Sequence, residues 1–259
     1  MRTAVVTGAG SGIGEAIAIR LLLDGWTVIA VDNNADGLAQ FSQHEGVTTV
    51  LGDVTERSTH IRARGEAAQA GVLHAWISVA GITATHQLHS LDEPSARRII
   101  DINQVGALLG AAEAVTAFRA AGTPGVLVQI SSVHASHSAM HYPVYEMTKA
   151  ALDALTRSIA VSYGADGIRA VAIAPGAIRT PALTASIEAS EDPQASSDRL
   201  AASSPLGRIG RPDEIANAVA FVVSEQASFI SGTTIVIDGA WTSALLNGNQ
   251  RPVQESRAK

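Results

Sequence analysis

The sequence predicts an α/β protein with a single doubly wound parallel sheet and helices on both faces. Three observations carry this expectation. Short runs rich in Val, Ile and Leu alternate with longer helical patterns along the whole chain. Hydrophobic residues make up 46% of the 259 residues and charged residues only 16%, so a large core can be buried. Aromatics are 4%, which leaves Val, Ile, Ala and Leu to build buried strands wrapped by helices.

Taken in order, the first strand is expected near residues 3–7, where Ala4-Val5-Val6 runs into a glycine-rich turn. A helix follows over 12–24. The second strand, 27–31, reads Thr-Val-Ile-Ala-Val, then a short helix is expected at 34–43 and a third strand at 47–51. Helical spacing returns over 55–70, the fourth strand over 74–79 and a long helix over 92–119. The fifth strand (125–131), a helix opened by Pro143 (143–164), the sixth strand (168–174), a helix at 212–224 and a seventh strand (234–237) complete the pattern. Right-handed crossovers between parallel strands place the helices on both faces. The domain is expected to span 1–246, with a polar tail over 247–259. The Ser/Ala-rich stretch between Thr180 and Pro205 interrupts the alternation. An insertion after a strand's carboxyl end usually covers the ligand, so 181–205 is expected to form a substrate lid. A solvated surface loop containing a helix is the plainer alternative.

Lys and Arg total 18 and Asp and Glu 24, for a formal charge of −6. No basic face stands out, so neither nucleic acid nor an anionic membrane is expected as partner. The absence of cysteine removes disulfides, thiolate metal sites and thiol nucleophiles. The N-terminal apolar stretch is too short for a signal sequence, and the stretch 105–118 is interrupted by Glu113 and Thr116. A cytoplasmic location is the resulting expectation.

Thr7-Gly8-Ala9-Gly10-Ser11-Gly12-Ile13-Gly14 joins the first strand to the first helix. Glycines allow a tight turn and a close approach of backbone to a pyrophosphate, and the helix N-terminus offers unpaired N–H groups. The spacing departs from G-x-G-x-x-G, since Ile13 stands in place of the last glycine. By itself such a turn also reads as an ordinary strand-to-helix loop. Asp32 ends the second strand, eighteen residues past Gly14. A carboxylate there can accept hydrogen bonds from the adenosine ribose and repels a 2′-phosphate, which favours NAD over NADP. Capping of the next helix is its plainer role. Asp53-Val54 follows the third strand and can hold adenine, though a turn residue accounts for Asp53 equally well.

Tyr145 and Lys149 are four residues apart at the start of a helical pattern and can face one cleft. A nearby ammonium and a positively charged nicotinamide both favour the phenolate, so a lowered Tyr145 pKa is expected, and with it acid/base work on an alcohol or carbonyl oxygen. Ser132, at the end of the fifth strand, can donate to that oxygen. Singly, each of these residues has a bland reading. Together, their order and spacing resemble the short-chain dehydrogenases/reductases of the NAD-dependent type, over about residues 2–243. The match runs through Thr7 to Gly14, Asp53-Val54, Ala80-Gly81, Asn103, Ser132, Tyr145/Lys149, Pro175-Gly176 with Thr180, Pro205 to Arg208 and Asp238-Gly239. Ser132 lies thirteen residues before Tyr145, as in that family; Tyr142 has Glu146 where its lysine would be needed.

The resemblance implies a Rossmann-type domain with four catalytic residues. Tyr145 is the acid/base, Ser132 positions the substrate oxygen, Lys149 tunes Tyr145 and binds ribose, and Asn103 holds a water joined to Lys149. It also implies cofactor contacts from Ala80, Gly81, Pro175 and Gly176, with the Ile178 backbone and Thr180 hydroxyl on the nicotinamide carboxamide. A homotetramer is implied too, with the helices 92–119 and 143–164 packing on a symmetry mate. Departures are Ser78-Val79 in place of a paired asparagine motif, Ala240 for a glycine and Val171 for an asparagine. Loss of the second asparagine puts local stability in doubt more than chemistry.

His134 and Tyr142, in the loop before the tyrosine helix, are expected to line the substrate pocket with Ala177 and Leu183. His134, His137 and His141 have a metal-like spacing, but no carboxylate cluster accompanies them and no metal is expected. His86 and His89 read as surface residues. The function expected is hydride transfer between NAD(H) and a medium-sized, aromatic or cyclic, secondary alcohol or ketone. Reduction of a carrier-bound 3-ketoacyl group and NAD sensing without chemistry are the alternatives; Asp32 disfavours the first and the complete residue set the second.

Overall fold

The alternation of apolar runs and helices becomes one sheet in the computed structural model, which describes residues 2–244. Its strands are β1 (Arg2–Thr7), β2 (Thr27–Asp32), β3 (Val47–Leu51), β4 (Val72–Ser78), β5 (Gly125–Ile130), β6 (Ile168–Pro175) and β7 (Thr233–Ile237). All pair in parallel, in the order β3-β2-β1-β4-β5-β6-β7. The order reverses between β1 and β4, so the connections leaving their carboxyl ends diverge and open a crevice there.

The helices are α1 (Gly12–Leu23), α2 (Ala35–Ala39), α3 (Arg57–Ala70), α4 (Glu93–Ile100), α5 (Gly106–Ala121), α6 (Pro143–Tyr163), α7 (Pro181–Glu188), α8 (Pro193–Ser203) and α9 (Pro212–Val223). Successive strand residues point to opposite faces, and both faces are covered. Val6, Val28, Val128 and Ile173 pack with Ile17 of α1 and Ile215 and Val219 of α9. Their neighbours Val5, Ile29 and Leu127 pack with Ala63 of α3, Phe118 of α5 and Ile159 of α6. Fully buried side chains of this size each contribute about 1.5–3 kcal/mol of transfer free energy. That two-sided burial is why the strands read as unbroken apolar runs rather than alternating ones.

Two expectations are corrected in detail. The helix expected over 92–119 is divided by a π-helical turn at Asp101–Val105, between α4 and α5. The turn falls where the fully buried Asn103 side chain is drawn to the backbone of Ile82 and to Thr148. The stretch 181–205, for which a loop with one helix was the plainer alternative to a lid, holds two helices. Each opens with a capped proline: Thr180 accepts from the Leu183 N–H, and Asp192 from the Ala195 N–H. No helix among the described residues is long and apolar enough to cross a membrane. The polar tail over 247–259 lies outside the described residues.

Candidate active site

A cleft of about 320 Å³ opens at the switch between β1 and β4. It gathers Gly8, Ser11, Gly12, Ile13, Gly14, Asp32, Asp53, Val54, Ala80, Gly81 and Thr180, residues far apart in sequence. Gly8 has φ +66°, and a Cβ on it would lie 2.8 Å from the Ala80 nitrogen. A Cβ on Gly14 would collide with the Gly8 carbonyl. The turn therefore tolerates no side chain at either place. Ser11 is the N-cap of α1, yet its hydroxyl caps no N–H, so the first-turn amides of α1 remain open to a ligand. Open amides at a helix start, beside a glycine turn, suit a diphosphate.

Asp32 is not the cap of α2, which is the role of Asn34. The Asp32 carboxylate instead accepts the Gly10 N–H (2.8 Å) and the Asn34 N–H (2.9 Å), one on each oxygen. Each oxygen keeps capacity for a further donor, such as a ribose hydroxyl. Asp53 takes the turn role and also reaches the cleft. Its Oδ1 accepts the Thr55 N–H (2.9 Å), making a turn, and it lines the cleft beside Val54.

The two serines after β5 divide their work. Ser131 donates to the Lys149 carbonyl (3.1 Å) and ties β5 to α6. Ser132, which is buried, accepts the His134 N–H (3.1 Å) and acts to lower the pKa of Tyr145. Lys149 is 4% exposed and donates to the Ile130 carbonyl at 2.7 Å, with Nζ 5.5 Å from the centre of the Tyr145 ring. Burial lowers its pKa to about 8, opposed by the charge of Asp153. The expected lowering of Tyr145 is reversed in the protein alone. Burial raises its pKa and outweighs the influence of Ser132, which acts the other way.

Asn103 donates to the Ile82 carbonyl (2.8 Å) and to Thr148 (3.2 Å), and accepts the Ile82 N–H (2.8 Å). Both its amide hydrogens are thereby used. Its Oδ1 retains one lone pair, on the side of Gly81, whose would-be Cβ lies 3.2 Å from that oxygen and 3.6 Å from Lys149 Nζ. The missing asparagine at Val79 is compensated by Thr7, whose hydroxyl accepts the Val79 and Ala80 N–H groups at 3.1 and 3.3 Å.

After β6, Pro175 is buried and the Gly176 N–H donates to the Ile237 carbonyl. Ile178 bridges to Gly210 through the Ala177 carbonyl and the Arg179 N–H, which turns its own N–H to the opposite side. Thr180 spends an acceptor on capping α7 and keeps its hydroxyl proton to donate.

His134 sits in a ring cluster, 5.7 Å from Tyr142, 5.9 Å from Tyr145 and 6.4 Å from Trp241. Its Nδ1 is 3.7 Å from Glu146, whose carboxylate is held by the Ala139 N–H (2.7 Å). Trp241, beyond β7, was not foreseen; its only sequence signal is being one of three tryptophans in a chain poor in aromatics. Ala177 lines a cavity of about 110 Å³ with Trp241 and Leu206. Leu183 stays in the first turn of α7, partly buried, next to Ala182 of the main cleft. His86 is also corrected. It is buried because its ring bonds Ser95 (3.1 Å) and its N–H bonds the His141 carbonyl (2.7 Å), stapling two loops together. Among the described residues no group of three His, Cys, Asp or Glu gathers as a metal site.

Residues 8–242 match a family model described as enoyl-(acyl carrier protein) reductase. The chain is 39% identical to a cis-4-hydroxycyclohexanecarboxylate dehydrogenase of Sinomonas cyclohexanicum, over 93% of this chain and 97% of that protein. It is 32% identical to 3beta-hydroxysteroid dehydrogenase 1 of Eggerthella lenta, over 93% and 94%. It is 31% identical to a levodione reductase of Leifsonia aquatica, over 94% and 95%. The doubly wound sheet, the glycine-turn cleft and the buried serine and lysine beside a partly buried tyrosine define a class of oxidoreductase. The chain belongs to the short-chain dehydrogenase/reductase family.

Proposed function

We propose that this chain is an NAD(H)-dependent enzyme interconverting a medium-sized, cyclic secondary alcohol and its ketone. The observation that carries the reaction class is the buried Lys149 ammonium 5.5 Å from the centre of the Tyr145 ring, fastened to the Ile130 carbonyl at the end of β5, which runs on into Ser132. The relatives named for ring-bearing substrates support the substrate class, and so does the ring cluster of His134, Tyr142 and Trp241 next to Tyr145. The preference for NAD rests on Asp32, a negative charge in the cofactor cleft with no compensating cation at Asn33 or Asn34.

A bound dinucleotide supplies the hydride acceptor for oxidation and the donor for reduction. Tyr145 takes the alcohol proton in oxidation and returns it to the carbonyl oxygen in reduction. Ser132 holds that oxygen against Tyr145 and stabilises its changing charge. Lys149 has three N–H donors, of which the Ile130 carbonyl takes one; the others are available to the ribose hydroxyls and to an Asn103-held water. The helices α7 and α8 serve as the substrate lid. Exposed Leu108 on α5 and Met147 and Val161 on α6 support packing of these helices on further copies, as a homotetramer. Light scattering showing a monomer would reject that assembly.

The test is absorbance at 340 nm with purified protein, cyclic secondary alcohols with NAD⁺ or NADP⁺, and the matching ketones with NADH. Turnover preferring NAD⁺ is expected. Tight NADH binding without turnover on a broad panel would move the reading to a sensor.

A further inference from the structure

We propose that Arg98 is a cofactor-binding residue, which holds the diphosphate of the dinucleotide from the α4 wall of the cleft. The proposal rests on the dinucleotide reading above. The residues lining the cleft include two acids, Asp32 and Asp53, and one base, Arg98. A diphosphate brings two negative charges into that acidic surround. The glycine turn and the first turn of α1 meet it with partial charges only, since neither carries a basic side chain into the cleft.

Arg98 lines the cleft together with Gly81, Ile82 and Ile102. Its neighbour Arg97 is engaged with Glu93, at 2.6 and 2.8 Å. The Arg98 side chain is exposed and makes no hydrogen bond or ion pair with any described residue. Among the described residues the only lysine is Lys149, buried at the catalytic centre, so no other full cation lines this cleft. A guanidinium presents a planar fork of donors that matches two phosphate oxygens at once. On a long side chain at the mouth of the cleft, it can close over the cofactor after entry.

The test is binding rather than turnover. NADH is titrated by fluorescence, and ADP and adenosine by calorimetry, against wild type, Arg98→Ala, Arg98→Lys and Arg97→Ala. For Arg98→Ala, NADH and ADP are expected to weaken by about 5- to 30-fold, while adenosine is unchanged. Arg98→Lys should keep part of the affinity, Arg97→Ala all of it. Added salt should weaken NADH binding to wild type more steeply than to Arg98→Ala. Wild-type affinity for NADH and ADP in Arg98→Ala would overturn the proposal. So would an equal loss for adenosine, which would put Arg98 on the nucleoside instead. Failure of the wild type itself to bind NADH or ADP would sink the dinucleotide reading and Arg98 with it.

Discussion

Lys149 Nζ and the Ile130 carbonyl are joined by a 2.7 Å hydrogen bond that fastens α6 to the end of β5. The bond holds a buried ammonium whose pKa falls from 10.5 to about 8. Between these values the folded chain binds fewer protons than the unfolded chain, so this group makes stability rise with pH across that window. Below about pH 8 its full cost, roughly 3 kcal/mol, is present. Lys149→Met is therefore expected to raise stability at pH 7 by about 1–2 kcal/mol, after the lost hydrogen bond is counted. The gain should shrink towards pH 10, and turnover should fall at least ~100-fold. Urea unfolding at the two pH values checks this; a less stable variant at pH 7 would contradict it.

Tyr145→Phe keeps the ring and removes the proton. NADH affinity is expected to stay within about twofold of wild type, while turnover falls ~10²–10⁴-fold. Because burial raises the Tyr145 pKa, alcohol oxidation by the wild type should quicken as pH rises from neutral into the alkaline range, and ketone reduction should slow. Steady-state rates in both directions against pH would show it. A bell centred below neutral would not fit.

The Asp32 carboxylate has one backbone donor on each oxygen, so its replacement must keep the turn. Asp32→Asn combined with Asn33→Arg removes the charge and adds a cation beside the ribose. The ratio of kcat/KM for NADP⁺ over NAD⁺ is expected to rise at least ~10-fold. An unchanged ratio would mean that Asp32 does not face the ribose.

Thr7 carries two backbone donors on one hydroxyl. Thr7→Val keeps the shape and leaves the Val79 and Ala80 N–H groups without that acceptor, at a cost of about 1–3 kcal/mol. Thermal unfolding of the two proteins measures it. Equal stability would show that water or a shifted backbone replaces the hydroxyl.

His134 touches Tyr142, Tyr145 and Trp241 but takes no part in the proposed proton transfer. His134→Ala is expected to raise KM for cyclic alcohols about 5- to 20-fold with NADH binding unchanged, through loss of packing against the substrate ring. A change confined to kcat would instead assign His134 to the chemistry.

Apolar runs such as Val126-Leu127-Val128 and helix signals such as Pro143 and Thr180-Pro181 act over a few residues, so strands and helices were legible from local pattern. So was the pairing of Tyr145 with Lys149, since a helix face needs only spacing. The π-helical turn at Asp101–Val105 was not legible, because it is associated with Asn103 reaching Ile82 and Thr148 across the fold. Nor was the approach of Trp241 to His134, which depends on how the segment after β7 packs. The Tyr145 pKa changed direction for the same reason. Neighbouring charge can be inferred from spacing, but desolvation depends on everything packed around the hydroxyl. Short-range covalent spacing thus set the fold class and the candidate Tyr145/Lys149 pair, whereas burial and long-range contact decided the electrostatics and the walls of the pocket.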